Sequence, residues 1–362
     1  MISNIVVVLL ATLCNKKIIK YQKKYVYIIL AVLFSIIIAI RPEMTPDTDI
    51  YVRGFEQADI SWLKNANLLG KYGSVFEYGY VALMICFKKI VNNSSFFFFI
   101  TTLLGLFLST FSLYRFSEFL ESGKYSWNYY EVFSVYLTCY ALLYNGISVR
   151  AGLSIALGLF FIVLMYEKKT IKAVLILLLA FSLHRTSILY IFIYFIIKFI
   201  PVLRKKTHYI MWVITGVLLF TKIGTIIFNM LSPIISKWMI SNSISGYGYL
   251  TEAAIGGDLS GTNILKWLIY GLLIFFSIKD ELYGKCLNLV MTGCFIMALL
   301  NGVTAASRAY DLFYMFSVPM YCLMYHSTMQ VISNQKIKKV VVYVLLGMNY
   351  YIMLRLCILN YL

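Results

Sequence analysis

Proline and carboxylates are scarce in this chain, with five prolines and fifteen Asp plus Glu among 362 residues. Scarce proline leaves long stretches free to run as uninterrupted helix, because proline is the residue that breaks one. Charged residues make up only 13%, too little polar surface for a soluble globular domain of this length. The seven cysteines lie scattered in or beside apolar segments with no CxxC, which excludes a disulfide framework and leaves them as small hydrophobes. No basic residue precedes the first apolar run, so no cleavable signal peptide is evident. Strict apolar–polar alternation is missing as well, which argues against a β-barrel.

What is present is apolar. Hydrophobic residues make up 61% of the chain, and mean hydropathy is +0.81. Continuous apolar runs of this kind predict an all-α polytopic membrane protein. The net charge of +17 reads as lysines gathered in short cytoplasmic loops under the positive-inside rule, so nucleic acid is not an expected partner.

The charge rule sets the topology. Lys16, Lys17, Lys20, Lys23 and Lys24 follow a short first run over 2–13 and place that loop inside. A span over 25–40 returns outward and stops at Arg41-Pro42. Residues 76–91 are apolar but carry Glu77 near the start and Lys88-Lys89 near the end. If they crossed, the basic turns at Lys168-Lys169, Arg204-Lys205-Lys206 and Lys336-Lys338-Lys339 would all face outward, so this stretch is predicted as an interfacial or re-entrant helix on the outer face. Further spans follow over 95–114, 129–144, 148–166, 171–183, 188–202, 209–231, 264–278, 287–303, 309–327 and 340–358. The sum is about twelve crossings in one membrane domain, 1–362, with outer loops at about 41–94 and 232–263. Pro319 should kink its span, and the five tryptophans suit an interfacial belt.

With this sidedness the outer face receives the long loops and most of the carboxylates. Arg150, Arg185, Arg308 and Arg355 all fall at outer ends of spans, and converging guanidiniums suit a phosphate, although a single arginine there can also snorkel to lipid headgroups. His184 is the one histidine expected outside; unperturbed near pKa 6.5, it suits a proton acceptor, and a neighbouring arginine should keep it neutral. No second His, Cys or carboxylate stands near it at a metal-ligand spacing. Asp47-Thr48-Asp49 with Tyr51 opens the first outer loop. Its carboxylates could supply a base, chelate a divalent cation or simply cap a helix. Glu77-Tyr78-Gly79-Tyr80 starts the interfacial helix and could face the same site.

Asp49-Ile50-Tyr51, Glu77-x-Gly79-Tyr80, Arg150 opening a span, the Lys168-Lys169 turn, His184 followed by small polar residues, and then Arg308 resemble the EpsG-like branch of the Wzy polysaccharide polymerases. The first outer loop also looks like that of GT-C glycosyltransferases, whereas the late loop at 232–263 is smaller than in many Wzy relatives. The resemblance implies a bacterial inner-membrane glycosyltransferase with its site facing the periplasm or outside. Such an enzyme moves a growing O-antigen, capsule or exopolysaccharide chain from undecaprenyl diphosphate to a hydroxyl of the next lipid-linked repeat unit. No cofactor is expected from the residues, with a divalent cation at Asp47 and Asp49 as the open alternative. Its partners would be those lipid-linked oligosaccharides, membrane lipids and a chain-length regulator. On this reading Arg150, Arg185 and Arg308 bind the diphosphate, with Arg355, Tyr51 and Tyr80 as further substrate contacts. His184 or Asp49 takes the acceptor's proton, and Glu77 supports. A flippase for the same lipid-linked unit and a membrane acyltransferase are the rival classes.

Overall fold

The computed structural model describes residues 20–40, 47–64, 76–120, 128–224, 260–301, 307–327 and 334–358, with isolated positions 226, 227, 230, 233 and 237. No strand occurs among the described residues. In chain order the first helices are α1 (Lys20–Ala39), α2 (Thr48–Gln57), α3 (Ser61–Lys64), α4 (Tyr78–Ile90), α5 (Ser94–Leu120) and α6 (Tyr129–Tyr136). α6 passes into a π-helix over Leu137–Ile147, followed by α7 (Val149–Tyr166), α8 (Thr170–Leu183), a 3-10 turn at Arg185–Ile188 and α9 (Leu189–Phe199). Then come α10 (Lys205–Thr221), α11 (Gly261–Phe275), α12 (Glu281–Leu299), α13 (Ser307–Tyr314), α14 (Ser317–His326) and α15 (Gln335–Ile358).

Among the described residues four helical stretches are long and apolar enough to cross a membrane: Ser94–Leu120, Val149–Tyr166, Glu281–Leu299 and Gln335–Leu356. Shorter apolar helices lie at Tyr25–Ala39, Thr170–Leu183 and Gly261–Phe275. The protein is thus an all-helical membrane protein. The expected run over 2–13 and most of the loop at 232–263 lie outside the described residues. α4, with 13 residues, reaches about 20 Å, short of a hydrocarbon core of about 30 Å. α8, with 14 residues, is hardly longer and by itself crosses only part of such a layer.

The chain forms two compact units, the first made of Met1–Phe119, Ser126–Tyr190 and Met353–Leu362, the second of Leu120–Tyr125 and Ile191–Ile352. In the first unit α7 and α8 pack as a hairpin, turning at Glu167-Lys168-Lys169 with Lys168 at φ 60°. α5 satisfies three of its hydroxyls within its own backbone. The hydroxyls of Thr101, Thr110 and Ser117 donate to carbonyls one turn back at 2.8, 2.8 and 2.6 Å. Asn128 caps α6, its Oδ1 accepting from the Tyr130 and Glu131 amides. Residues of α2, α4, α5, α7 and α8 share an apolar cluster including Phe55, Met84, Phe97 and Leu183. Trp62 is 8% exposed and packs in that cluster.

In the second unit α12 lies centrally, in contact with α10, α11, α13 and α14. Asp280 caps it, and Lys285 in its second turn donates to the carbonyls of Ile197 and Ile200 at 2.7 and 2.8 Å, satisfying the end of α9. Trp212 and Trp267 stack with centroids 4.5 Å apart, each indole N–H donating to the other's carbonyl. The expected kink at Pro319 is a full break. α13 ends at Tyr314, Met315-Phe316 forms a turn, and α14 restarts at Ser317. The Met315 carbonyl accepts from the Val318 amide at 3.1 Å, one residue before the proline that offers no donor.

Candidate functional site

Glu77 precedes α4 in extended backbone, φ −74° and ψ 153°. Its position depends on Gly79. A Cβ there would stand 2.2 Å from Ser182 Oγ and 2.7 Å from the Ser182 carbonyl carbon, so only glycine lets the first turn of α4 rest on the last turn of α8. α8 ends at Leu183, and His184 follows in extended backbone, φ −159° and ψ 122°. The close approach brings His184 Nδ1 to 2.8 Å from Glu77 Oε1, with the Arg185 amide donating to the same oxygen at 3.4 Å.

The other carboxylate oxygen, Oε2, stands 2.7 Å from Arg150 Nη1. Arg150 lies in the first turn of α7, just after the π-helix, and its guanidinium sits over the Phe76 ring at 5.4 Å. Glu77 and Arg150 side chains are each 9% exposed and His184 6%, so all three are buried. Burial pushes the Glu77 carboxyl upward, but the hydrogen bond with His184 and the charge of Arg150 outweigh it and hold the pKa below its ordinary 4.5. An ionised carboxylate accepts, so His184 donates to it from Nδ1, a contact that in the neutral ring puts the basic lone pair at Nε2. The arrangement is a carboxylate-oriented imidazole whose carboxylate is charge-balanced by an arginine, suited to general base work.

The frame around this cluster is aromatic and hydroxylic. Tyr51, Phe76 and Tyr80 lie mutually within 6.0 Å, centroid to centroid. Tyr51 at 6% and Tyr80 at 0% exposure form part of the packing beneath the cluster. The π-helix that delivers Arg150 is pinned through Asn145, which accepts from the Tyr136 hydroxyl on Oδ1 and from the Thr102 hydroxyl on its carbonyl, both at 2.9 Å. Gly152 is required for the reversal into α7, because a Cβ there would meet the Tyr144 carbonyl oxygen at 1.8 Å.

Of the residues singled out in the sequence, Glu77, Arg150 and His184 come together, with the Arg185 amide beside them and the Arg185 side chain exposed. Asp49 is on α2 and exposed, paired with Arg53 at i+4 over 2.6 Å. Arg355 is half-buried in the last turn of α15. Arg308 starts α13 in the second unit, and its side chain lies outside the described residues. Among the described residues no three His, Cys, Asp or Glu gather as a metal-ligand set.

Two features escaped the sequence reading. Ser154, one turn beyond Arg150, contacts the backbone around His184; the i, i+4 spacing was the available signal. In the second unit Lys266 and Asp311 form an ion pair of 2.5 Å at 1% and 2% exposure, with Lys266 also 4.4 Å from the Tyr310 ring centroid. A lysine inside the apolar run 264–278 was the signal there.

No curated protein and no solved structure matches the chain. The profile of one family does, across residues 24–362, and an all-helical membrane chain carrying this Glu–His–Arg cluster therefore belongs to the EpsG family.

Proposed function

We propose that this protein is a lipid-linked repeat-unit polymerase. The family places it in membrane polysaccharide biosynthesis, in a polymerase-like role. The observation that carries the finer reading is the 2.8 Å contact of His184 Nδ1 with Glu77 Oε1; with Nδ1 donating to the carboxylate, Nε2 is the nitrogen that can accept a proton. A hydroxyl of the acceptor repeat unit gives its proton to His184 Nε2 as its oxygen attacks the anomeric carbon of the growing chain. The bond from that carbon to undecaprenyl diphosphate breaks, and the diphosphate leaves with the electron pair. Glu77 steadies the imidazolium formed, and Arg150 balances the charge of Glu77. The exposed Arg185 side chain, next in sequence to the base, is the cation placed to meet the departing diphosphate. No general acid is required, because a diphosphate leaves as an anion. A single displacement inverts the anomeric centre.

Two lipid-borne reactants held on one outer membrane face supply the proximity the step needs. Asp49 is the weaker candidate for the base, since its carboxylate is exposed and occupied by Arg53. Expression of His184→Ala in a strain lacking the wild-type gene tests the reading. Lipid-linked glycan should accumulate as single units. Normal chain lengths at normal protein abundance would rule His184 out as the base.

A further inference from the structure

We propose that Ser154 is a positioning residue for this reaction, acting through the backbone of His184; the proposal rests on His184 being the base. α7 presents Arg150, Ser154 and Gly158 at successive turns of one face. Arg150 reaches Glu77, and Gly158 leaves room for the Tyr190 ring, which a Cβ would meet at 2.1 Å. Between them the Ser154 hydroxyl, 1% exposed, lies 2.9 Å from the Ala180 carbonyl and 3.2 Å from the His184 carbonyl.

These two carbonyls flank the point where α8 gives way to extended chain. The Ala180 carbonyl already receives the His184 amide at 3.0 Å, and the His184 carbonyl receives the Ser187 amide at 3.1 Å and the Ser187 hydroxyl at 2.9 Å. Neither carbonyl is orphaned if the Ser154 hydroxyl is removed, so the serine is not needed to close the helix end. What it provides is a tie from α7, the helix that carries Arg150, to the residue that carries the imidazole. One rigid helix therefore sets both partners of Glu77: the guanidinium through a side chain, the imidazole through a carbonyl. Loss of the tie lets His184 drift against a carboxylate whose other oxygen stays on Arg150, and small misplacements of a catalytic group can reduce rate about 10²-fold.

The test uses the purified full chain in lipid nanodiscs, with undecaprenyl-diphosphate-linked repeat units extracted from a strain lacking the gene as probe. Ser154→Ala should lower kcat about tenfold to a hundredfold, with KM within about twofold because substrate contacts are untouched. In a Glu77→Gln background the same change should have little further effect, since the dyad it serves is already broken. Should Ser154→Ala fail to accumulate, Ser154→Cys keeps the size and a weaker donor, and an intermediate kcat is expected from it. Wild-type kcat in a folded Ser154 variant would overturn the proposal, as would a multiplicative loss in the double variant. If Glu77→Gln and His184→Ala retain wild-type rates, the polymerase base itself is misassigned; if they are inactive while Ser154→Ala is normal, only the positioning role falls.

Discussion

Glu77→Gln perturbs the centre of the cluster with little change in shape. In the wild type one carboxylate oxygen is 2.8 Å from His184 Nδ1 and the other 2.7 Å from Arg150 Nη1, all three groups being buried. Two consequences separate. Arg150 loses its counter-charge, and breaking a buried pair by removing one partner costs about 3–5 kcal/mol. The amide oxygen of glutamine can still accept from Nη1, which places the expectation at the lower end, about 3 kcal/mol. The amide nitrogen then faces His184 and donates, so Nδ1 must accept and the ring proton moves to Nε2, the wrong tautomer for a base. Loss of general base assistance lowers rate about 10²–10⁴-fold, equivalent to about 3–5 kcal/mol of barrier. The assay is chain elongation by purified variant on lipid-linked repeat units, normalised to folded protein measured by thermal unfolding. A wild-type elongation rate per folded molecule would refute the tautomer argument, whatever the stability change.

Gly79→Ala should act on the same cluster from outside it. Its Cβ meets Ser182 backbone at 2.7 Å, so α4 must lift from α8 at about 1–3 kcal/mol, and thermal unfolding with the elongation assay should both register it. Ser182→Gly should rescue only in part, because the backbone clash remains. Acid should also weaken the wild type. The folded pKa of Glu77 lies below 4.5, so its pairing is fully present above that value and is lost as pH falls through the folded pKa. The stability gap between wild type and Glu77→Gln should therefore narrow on going from neutral pH to below 4.5. In the second unit Lys266→Met should destabilise by about 3–5 kcal/mol through the stranded Asp311, while Lys266→Met with Asp311→Leu should recover most of it. Equal loss in the single and double variants would contradict that.

Much of the site was legible from charge placed where charge is expensive. Glu77, Arg150 and His184 each interrupt or bound an apolar run, which singled them out before any geometry. Their contact was not legible. Glu77 and His184 are 107 residues apart in sequence, and what joins them is the missing side chain of Gly79, a cue that resembles any other helical glycine. Asp49 and His184 looked comparable as bases in sequence. The difference lies in burial and partner, an exposed i, i+4 pair with Arg53 against a buried imidazole on a carboxylate. The span pattern followed hydropathy where runs were long, as at Ser94–Leu120. It failed to foresee the π-helix at Leu137–Ile147, because that depends on tertiary anchors to Asn145 rather than on composition.

Elongation by the purified chain is the most direct test of the central claim. In nanodiscs with undecaprenyl-diphosphate-linked repeat units and no other protein, the wild type should produce a ladder of glycans with inverted linkages, and His184→Ala should leave single units. A ladder of undiminished length from His184→Ala, or movement of the units across the bilayer with no new glycosidic bond from the wild type, would contradict the account.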